Sequence, residues 1–85
     1  MAETTRCWLV EREYDDRGLL RLAYATPDGS RHLRKERSAA LGGEVTAAVE
    51  VSEERLRPVD DEDRRDRYAA EVNRMRERHA PDEAI

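Results

Sequence analysis

"LLRLAYATPDGSRHLRKER", residues 19–37, holds a hairpin signal between two segments of different character. The TPDGS motif at its centre favours a tight turn, because Gly29 can adopt positive φ angles without steric cost. The segment before the turn alternates apolar residues at period two, and the segment after it returns with basic side chains. The stretch therefore predicts two antiparallel strands, over about residues 19–26 and 30–37, and with them a sheet-based fold.

Two further strands are predicted around this hairpin. Residues 6–14 place Trp8, Val10 and Tyr14 on one expected face of a strand. Residues 44–51 carry a small apolar side chain at every second position, which is typical of a half-buried strand. The RLRPV motif that follows can add a short edge segment to the sheet.

The sequence period changes at Asp60, where an amphipathic helix is predicted over about residues 60–79. Asp60 is a favourable N-cap, and acid-first pairs with arginines four residues later support the helix. Pro81 cannot continue a helix and so sets its end. One narrow stripe is expected to pack on the sheet, and it consists of Tyr68, Val72, Met75 and His79.

Eighty-five residues make one small domain. The predicted fold class is α+β: an antiparallel β-meander of three to four strands with one C-terminal amphipathic helix packed on it. A sheet that curls toward a small barrel is the alternative, because the Gly42–Gly43 pair can bend the chain. Residues 1–5 are expected to form a flexible leader, residues 6–80 the domain, and residues 81–85 a flexible tail.

Composition limits the location and the partners. The single Cys7 cannot form an internal disulfide, and no stretch is apolar enough to span a membrane or act as a signal peptide. These features predict a soluble protein of the reducing cytoplasm. A net charge of −4, from 16 basic and 20 acidic residues, weakens any non-specific affinity for nucleic acid, because it repels phosphate.

No pattern of catalytic or metal-binding residues stands out. Cys7, His32 and His79 are candidate metal ligands, but they lack the spacing of a zinc motif. Cys7 lies within an expected strand, which is typical of a buried small apolar position and not of a reactive thiol. The Gly-Gly pair is not followed by the Lys-Ser/Thr of a phosphate loop. The sequence therefore predicts no enzymatic activity, no metal site and no cofactor.

Basic side chains are concentrated in the strand that follows the hairpin turn. The candidate contacts to nucleic acid are Arg31, Arg34, Lys35 and Arg37. Cross-strand pairing with Glu11 and Glu13 could neutralise these cations, which predicts a salt-bridged structural face instead. The few aromatic residues are all expected in the core, so no platform for base stacking is predicted.

One helix can cover only one face of a sheet, so the second face is a candidate protein interface. Leu9, Leu19 and Ala23 are expected to form it, in a homodimer or with another protein. An unpaired edge strand offers a second route, since it can accept a strand from a partner. The alternative is a sheet that curls and buries these residues itself. The sequence thus predicts a non-catalytic, homodimeric interaction or assembly module, with nucleic-acid binding or regulation through the basic strand as the alternative.

Overall fold

The computed structural model describes residues 3–38 and 44–85. Within them the chain forms five β-strands followed by one α-helix. The strands are β1 (Thr4–Tyr14), β2 (Leu19–Ala25), β3 (Arg31–Ser38), β4 (Ala48–Ser52) and β5 (Arg57–Pro58). The helix α1 spans Glu62–Arg78, and a short 3-10 turn, Glu53–Arg55, precedes β5. No helix in the described ranges is long and apolar enough to cross a membrane.

The strands form one antiparallel sheet in the order β4-β1-β2-β3-β5, and the predicted α+β class is confirmed. The edge strands β4 and β5 follow each other in the chain and are joined only by the 3-10 turn and Leu56. So short a connection makes the sheet curl, although the sheet is not closed into a barrel. Glu53 in this connection accepts a hydrogen bond from Thr5 of β1 at 2.9 Å and lies 3.7 Å from Arg31 of β3.

The curled sheet buries residues on both of its faces. The inner face carries Leu9, Leu22 and Tyr24, and the helix face carries Trp8, which packs with Tyr68 of α1. The inner cluster consists of Cys7, Leu9, Leu20, Leu22, Tyr24, Val45, Val51 and Leu56, and the helix cluster of Trp8, Ala25, Ala47, Ala48, Val59, Tyr68 and Val72. The sheet therefore contributes to the core on both sides.

A β-bulge in β1 corrects one prediction about the core. The pairing of β1 with β2 shifts register between Leu9 and Glu11, so that one residue of β1 has no partner opposite it. Because the extra residue reverses the alternation of faces, Tyr14 lies opposite Leu20 on the inner face and not on the face of Trp8. Tyr14 is 68% exposed, and the prediction that it belongs to the core is wrong.

The first strand starts earlier and the fourth later than predicted. Thr4 and Thr5, assigned to the leader, pair with the end of β4. β4 begins at Ala48, and just before it the Thr46 hydroxyl donates to the carbonyl of Ala48 at 2.8 Å. The predicted bend at Gly42–Gly43 lies outside the described residues.

The last residues, predicted as a flexible tail, hydrogen-bond to the segment before β4. Three backbone hydrogen bonds of 2.7 to 2.9 Å join Ala47 to Glu83, Ala48 to Pro81 and Ile85 to Val45. The side chains of His79 and Glu83 also pair, and the hydrogen bond from His79 lowers the pKa of Glu83. These backbone groups are satisfied within the chain, so the predicted tail is part of the fold.

The helix follows the prediction with one change at its start. Asp61, and not Asp60, is the N-cap, and its carboxylate accepts hydrogen bonds from the amides of Asp63 at 2.9 Å and Arg64 at 3.4 Å. The predicted stripe is confirmed: its members are buried or half-buried, and they are Tyr68, Val72, Met75 and His79. The predicted acid-first ion pairs do not form within the described helix, where Arg65 instead donates to the carbonyl of Val59.

The Cys7 thiol is buried in the inner cluster, where it donates to the carbonyl of Thr5 at 3.6 Å. Burial raises its pKa to about 11, and the nearby Arg31 only partly offsets this effect. Near about pH 8 the thiolate fraction is then roughly 100-fold below that of an ordinary cysteine. We expect a disulfide reagent to label the native protein at least about 100-fold more slowly than the urea-unfolded chain. Equal labelling rates would contradict this burial.

Candidate functional site

The structure separates the three residues that were predicted as a partner surface, and it buries two of them. Leu9 is 6% exposed in the inner cluster, and Ala23 is 2% exposed on the helix face, in register with Glu11. Leu19, between the turn and the core, is half-buried. The curl of the sheet hides Leu9, which is the alternative that the sequence left open. Leu9, Leu19 and Ala23 are therefore separated and mostly internal.

The described part of the chain leaves one long edge of the sheet open, along β3. β2 pairs with β3 over its whole length, but β5 pairs only with Arg31 and His32. Beyond His32, no strand within residues 3–38 and 44–85 pairs with this edge, and residues 34–36 are exposed. A row of unpaired backbone groups is a template for another strand.

Backbone geometry shows which groups of β3 point outward. The carbonyl of Arg31 accepts a hydrogen bond at 3.0 Å from the β2 side, whereas that of Ser30 accepts one at 2.8 Å from Val59 on the β5 side. Successive residues of a strand direct their backbone groups to alternate sides. Arg34 and Glu36 therefore present their N–H and C=O groups at the open edge.

On the helix face, the charges of β3 have partners of opposite sign. Arg34 lies 3.9 Å from Glu11 of β1, and Glu36 lies 3.9 Å from Arg21 of β2. The expected neutralisation of the basic strand is thus observed for Glu11, whereas Glu13 stands in register with Arg21. Half-exposed ion pairs of this kind contribute about 0–1 kcal/mol each. Their main effects are on strand register and on the solubility of this face, and they add little to the free energy of unfolding.

On the inner face, the cations of β3 are only partly matched. Arg31, at the start of the strand, lies 3.7 Å from Glu53. Lys35 is exposed, and no carboxylate of the described residues lies within 4.0 Å of its ammonium group. The positive charge of Lys35 is therefore available to a partner at the open edge.

Further cations and an aromatic ring lie at the same end of the inner face. The pairing registers align Arg12 with Lys35, and Tyr14 with Arg37, through the intervening residues of β2. Burial raises the pKa of the Tyr24 hydroxyl, whereas the charges of Arg37 and Arg12 lower it. The sequence pattern did not reveal the exposed ring of Tyr14, because the bulge that redirects this ring leaves no clear signal in the sequence.

Under the first half of α1, Tyr68 connects the helix to β1 and β3. Its hydroxyl donates to Oε1 of Glu11 at 2.8 Å and accepts from Nη2 of Arg34 at 3.4 Å. Burial, together with the bond to Glu11, raises the pKa of Tyr68. The ring of His32 lies 6.0 Å from that of Tyr68. Of the predicted nucleic-acid contacts, Arg34 thus has a structural role at the junction of helix and sheet.

The remaining perturbed side chains do not gather into a catalytic arrangement. Asp28 lies in the hairpin turn, where a hydrogen bond from the Ser30 amide is the main cause that lowers its pKa to about 2. Cys7 lies in the inner cluster instead. Acid–base or metal chemistry requires several such groups at one place. Across residues 3–38 and 44–85, no group of three or more His, Cys, Asp or Glu side chains could hold a metal ion.

Comparisons with known proteins agree on the family and go no further. The whole chain, residues 1–85, matches the model of a family described as a family of unknown function, DUF7967. No curated protein and no solved structure matches the chain. The fold and the edge of β3 are therefore described from this chain alone. The chain belongs to the family of unknown function DUF7967.

Proposed function

We propose that this chain is a non-catalytic protein-interaction module that takes an extended acidic segment of another protein onto the open edge of β3. One observation carries the proposal: within residues 3–38 and 44–85, β3 pairs on its outer side only at Arg31 and His32, and it is exposed at residues 34–36. Main-chain hydrogen bonds to such an edge give affinity, and the alternate side chains of the incoming strand give specificity.

The charges around the edge support an acidic partner. Lys35 is exposed on the strand itself. Arg55, on the 3-10 turn, is exposed beyond the end of β5. An incoming strand with carboxylates would place them near these cations, and complementary charges favour both encounter and register.

A second copy of the chain is a poor partner for the same edge. Antiparallel pairing of two β3 strands around Lys35 would set the two ammonium groups opposite each other, and like charges in that position are destabilising. The homodimer suggested by the sequence also relied on Leu9 and Ala23, which are buried. We therefore propose a different protein as the partner, in the cytoplasm.

The proposal is tested with a blocked peptide of about ten residues that alternates glutamate with valine, a pattern suited to an added strand. We expect its binding to protect the amides of Arg34 and Glu36 from hydrogen exchange. Lys35→Glu should weaken binding at least about tenfold, which corresponds to about 1.4 kcal/mol. Arg76→Glu makes the same charge change on the exposed side of α1 and should leave the affinity within about twofold.

A backbone variant separates strand pairing from simple charge attraction. Glu36→Pro removes an outward N–H without breaking a bond to β2, so it should abolish binding. Glu36→Gln removes the same carboxylate, keeps the N–H, and should bind at least as well as the parent chain. If Glu36→Pro and Glu36→Gln bound the acidic peptide with equal affinity, pairing of the peptide with β3 would be refuted. Light scattering of the chain alone should report a monomer. If it reported a dimer that the Glu36→Pro variant no longer forms, the partner at this edge would be a second copy of the chain and not an acidic protein.

Nucleic acid is the second candidate, favoured by the exposed Tyr14 ring beside Arg12 and Arg37. Base stacking on such a ring contributes about 1–3 kcal/mol. The net charge of −4 and the ion pairs of Arg31 and Arg34 weigh against it. Single-stranded oligonucleotides separate the two candidates: binding that falls steeply between about 50 and 200 mM salt and is lost in Tyr14→Ala would favour nucleic acid.

A further inference from the structure

A cleft lies where β5 ends against the edge of β3. Its lining consists of His32, Leu33, Arg34, Arg55 and Arg57, and it holds about 490 Å³ when the space open at its mouth is counted. Three guanidinium groups and an imidazole thus face one space, and no carboxylate is among the lining side chains. A cluster of cationic side chains with no carboxylate in the same lining is typical of a site that binds oxyanions.

Two of the three arginines are oriented by hydrogen bonds to neutral oxygen atoms. Nη1 of Arg57 donates to the carbonyls of Glu54 at 3.1 Å and Leu56 at 3.2 Å. Nη2 of Arg34 donates to the Tyr68 hydroxyl at 3.4 Å and also lies 3.9 Å from Glu11, which offsets its charge. Arg57 keeps its charge, because carbonyl oxygens orient a guanidinium without neutralising it. The cleft is therefore pre-organised, and Arg55 and Arg57 supply its net positive charge.

Arg55 is the third guanidinium, and it is the most available of them. It is exposed, and within the described residues it forms no hydrogen bond or ion pair. Its five N–H donors can therefore all serve a ligand. Because Arg55 has no structural partner to lose, its replacement changes the cleft without disturbing the fold.

Among the charges around His32, the arginines outweigh the carboxylates. The buried Nδ1 atom of His32 has no hydrogen-bond partner among the described residues. Burial lowers the pKa of His32, and so do Arg34 and Arg64, against a smaller opposing effect of Glu11 and Asp60. An anion bound in the cleft would therefore favour the imidazolium form of His32.

We propose that this cleft binds a phosphate-type oxyanion, with Arg55 and Arg57 as its principal ligands and Arg34 beside them. Arginine forks match the oxygens of such a group in pairs, and several arginines together select a doubly charged tetrahedral anion over a carboxylate. This inference goes beyond the acidic-strand proposal and stands without it, because inorganic phosphate can occupy the cleft whether or not a strand pairs with β3.

The test is a titration of the full chain with inorganic phosphate, at constant ionic strength, followed by NMR. We expect saturable shifts at His32 and Arg57, and a rise in the pKa of His32 when phosphate is bound, because a nearby anion favours the imidazolium form. The pKa of His32 depends on its burial and on Arg34, Arg64, Glu11 and Asp60, and the Tyr68 ring lies 6.0 Å away; the variants below change none of these residues.

Arg55→Gln should weaken phosphate binding at least about tenfold, whereas Arg76→Gln, on the exposed side of α1, should leave it unchanged. Equal loss in both variants, or shifts that never saturate, would show an adventitious ion only and overturn the inference. Glu36→Pro should keep phosphate binding while it loses the acidic peptide, so the two proposals can fail separately. A phosphoserine peptide that binds about tenfold more tightly than inorganic phosphate would identify a phosphoprotein as the source, and equal affinity a free phosphate compound.

Discussion

Gly29→Ala is expected to destabilise this chain by about 2–5 kcal/mol, the sum of a left-handed backbone penalty and a forced overlap. Gly29 has a φ of +75° in the hairpin turn. A Cβ atom at this position would lie 2.2 Å from the carbonyl oxygen of Arg65 and 2.9 Å from the amide nitrogen of Ala69. Both atoms belong to the backbone of α1, so the helix must move away from the sheet to accommodate a methyl group.

Gly18→Ala is the matched control. Gly18 has a similar φ of +83°, but nothing lies within 4 Å of the position that its Cβ would take. This variant should therefore cost only about 1–2 kcal/mol, the backbone penalty alone. Urea unfolding followed by the fluorescence of Trp8, the single and buried tryptophan, measures both. Equal losses in the two variants would contradict the close approach of the hairpin turn to α1.

Tyr68→Ala is the second large effect, with an expected loss of about 3–5 kcal/mol. The ring is 2% exposed and packs in the helix cluster with Trp8 and Val72. Its removal leaves a cavity between helix and sheet and deprives Glu11 and Arg34 of the hydroxyl they share. Both losses weaken the contact between helix and sheet. Tyr68→Ala should therefore remove a large part of the free energy of unfolding of a domain of this size.

Two further variants separate the ring from the hydroxyl of Tyr68. Tyr68→Phe keeps the ring and should cost about 1 kcal/mol, the usual contribution of one hydrogen bond. Asn73→Ala, at an exposed position of the same helix, should change the stability by no more than about 0.5 kcal/mol. If Tyr68→Ala cost no more than Tyr68→Phe, the packing of α1 on the sheet through this ring would be refuted.

The elements that have strong local signals were predictable. The TPDGS turn, the alternation in β2 and the apolar stripe of α1 follow from steric and hydrophobic rules that act within a few residues. The side of β3 on which each residue lies was equally predictable, because a strand alternates strictly. The N-cap of the helix is Asp61, one residue later than predicted, since neighbouring aspartates are equally good caps and only the geometry selects between them.

What could not be predicted depends on contacts between distant parts of the chain. The bulge between Leu9 and Glu11 is a product of pairing, and it moved Tyr14 from the expected core to the surface. The curl of the sheet follows from the short link between β4 and β5, and it buries Leu9, one of the three residues predicted as an interface. Arg55 and Arg57 lie far along the sequence from the basic strand β3, and only the pairing of β5 with β3 brings them to the cleft that they share with His32 and Arg34.

Amide hydrogen exchange along β3, measured by NMR with and without the acidic peptide, tests the open edge most directly. In the chain alone, the amides of Arg34 and Glu36 should exchange rapidly, whereas those of Leu33 and Lys35, which face β2, should be protected. Added peptide should slow exchange at Arg34 and Glu36 and change little at the other two. Protection of all four amides in the chain alone would mean that the edge is already covered, and would contradict the account.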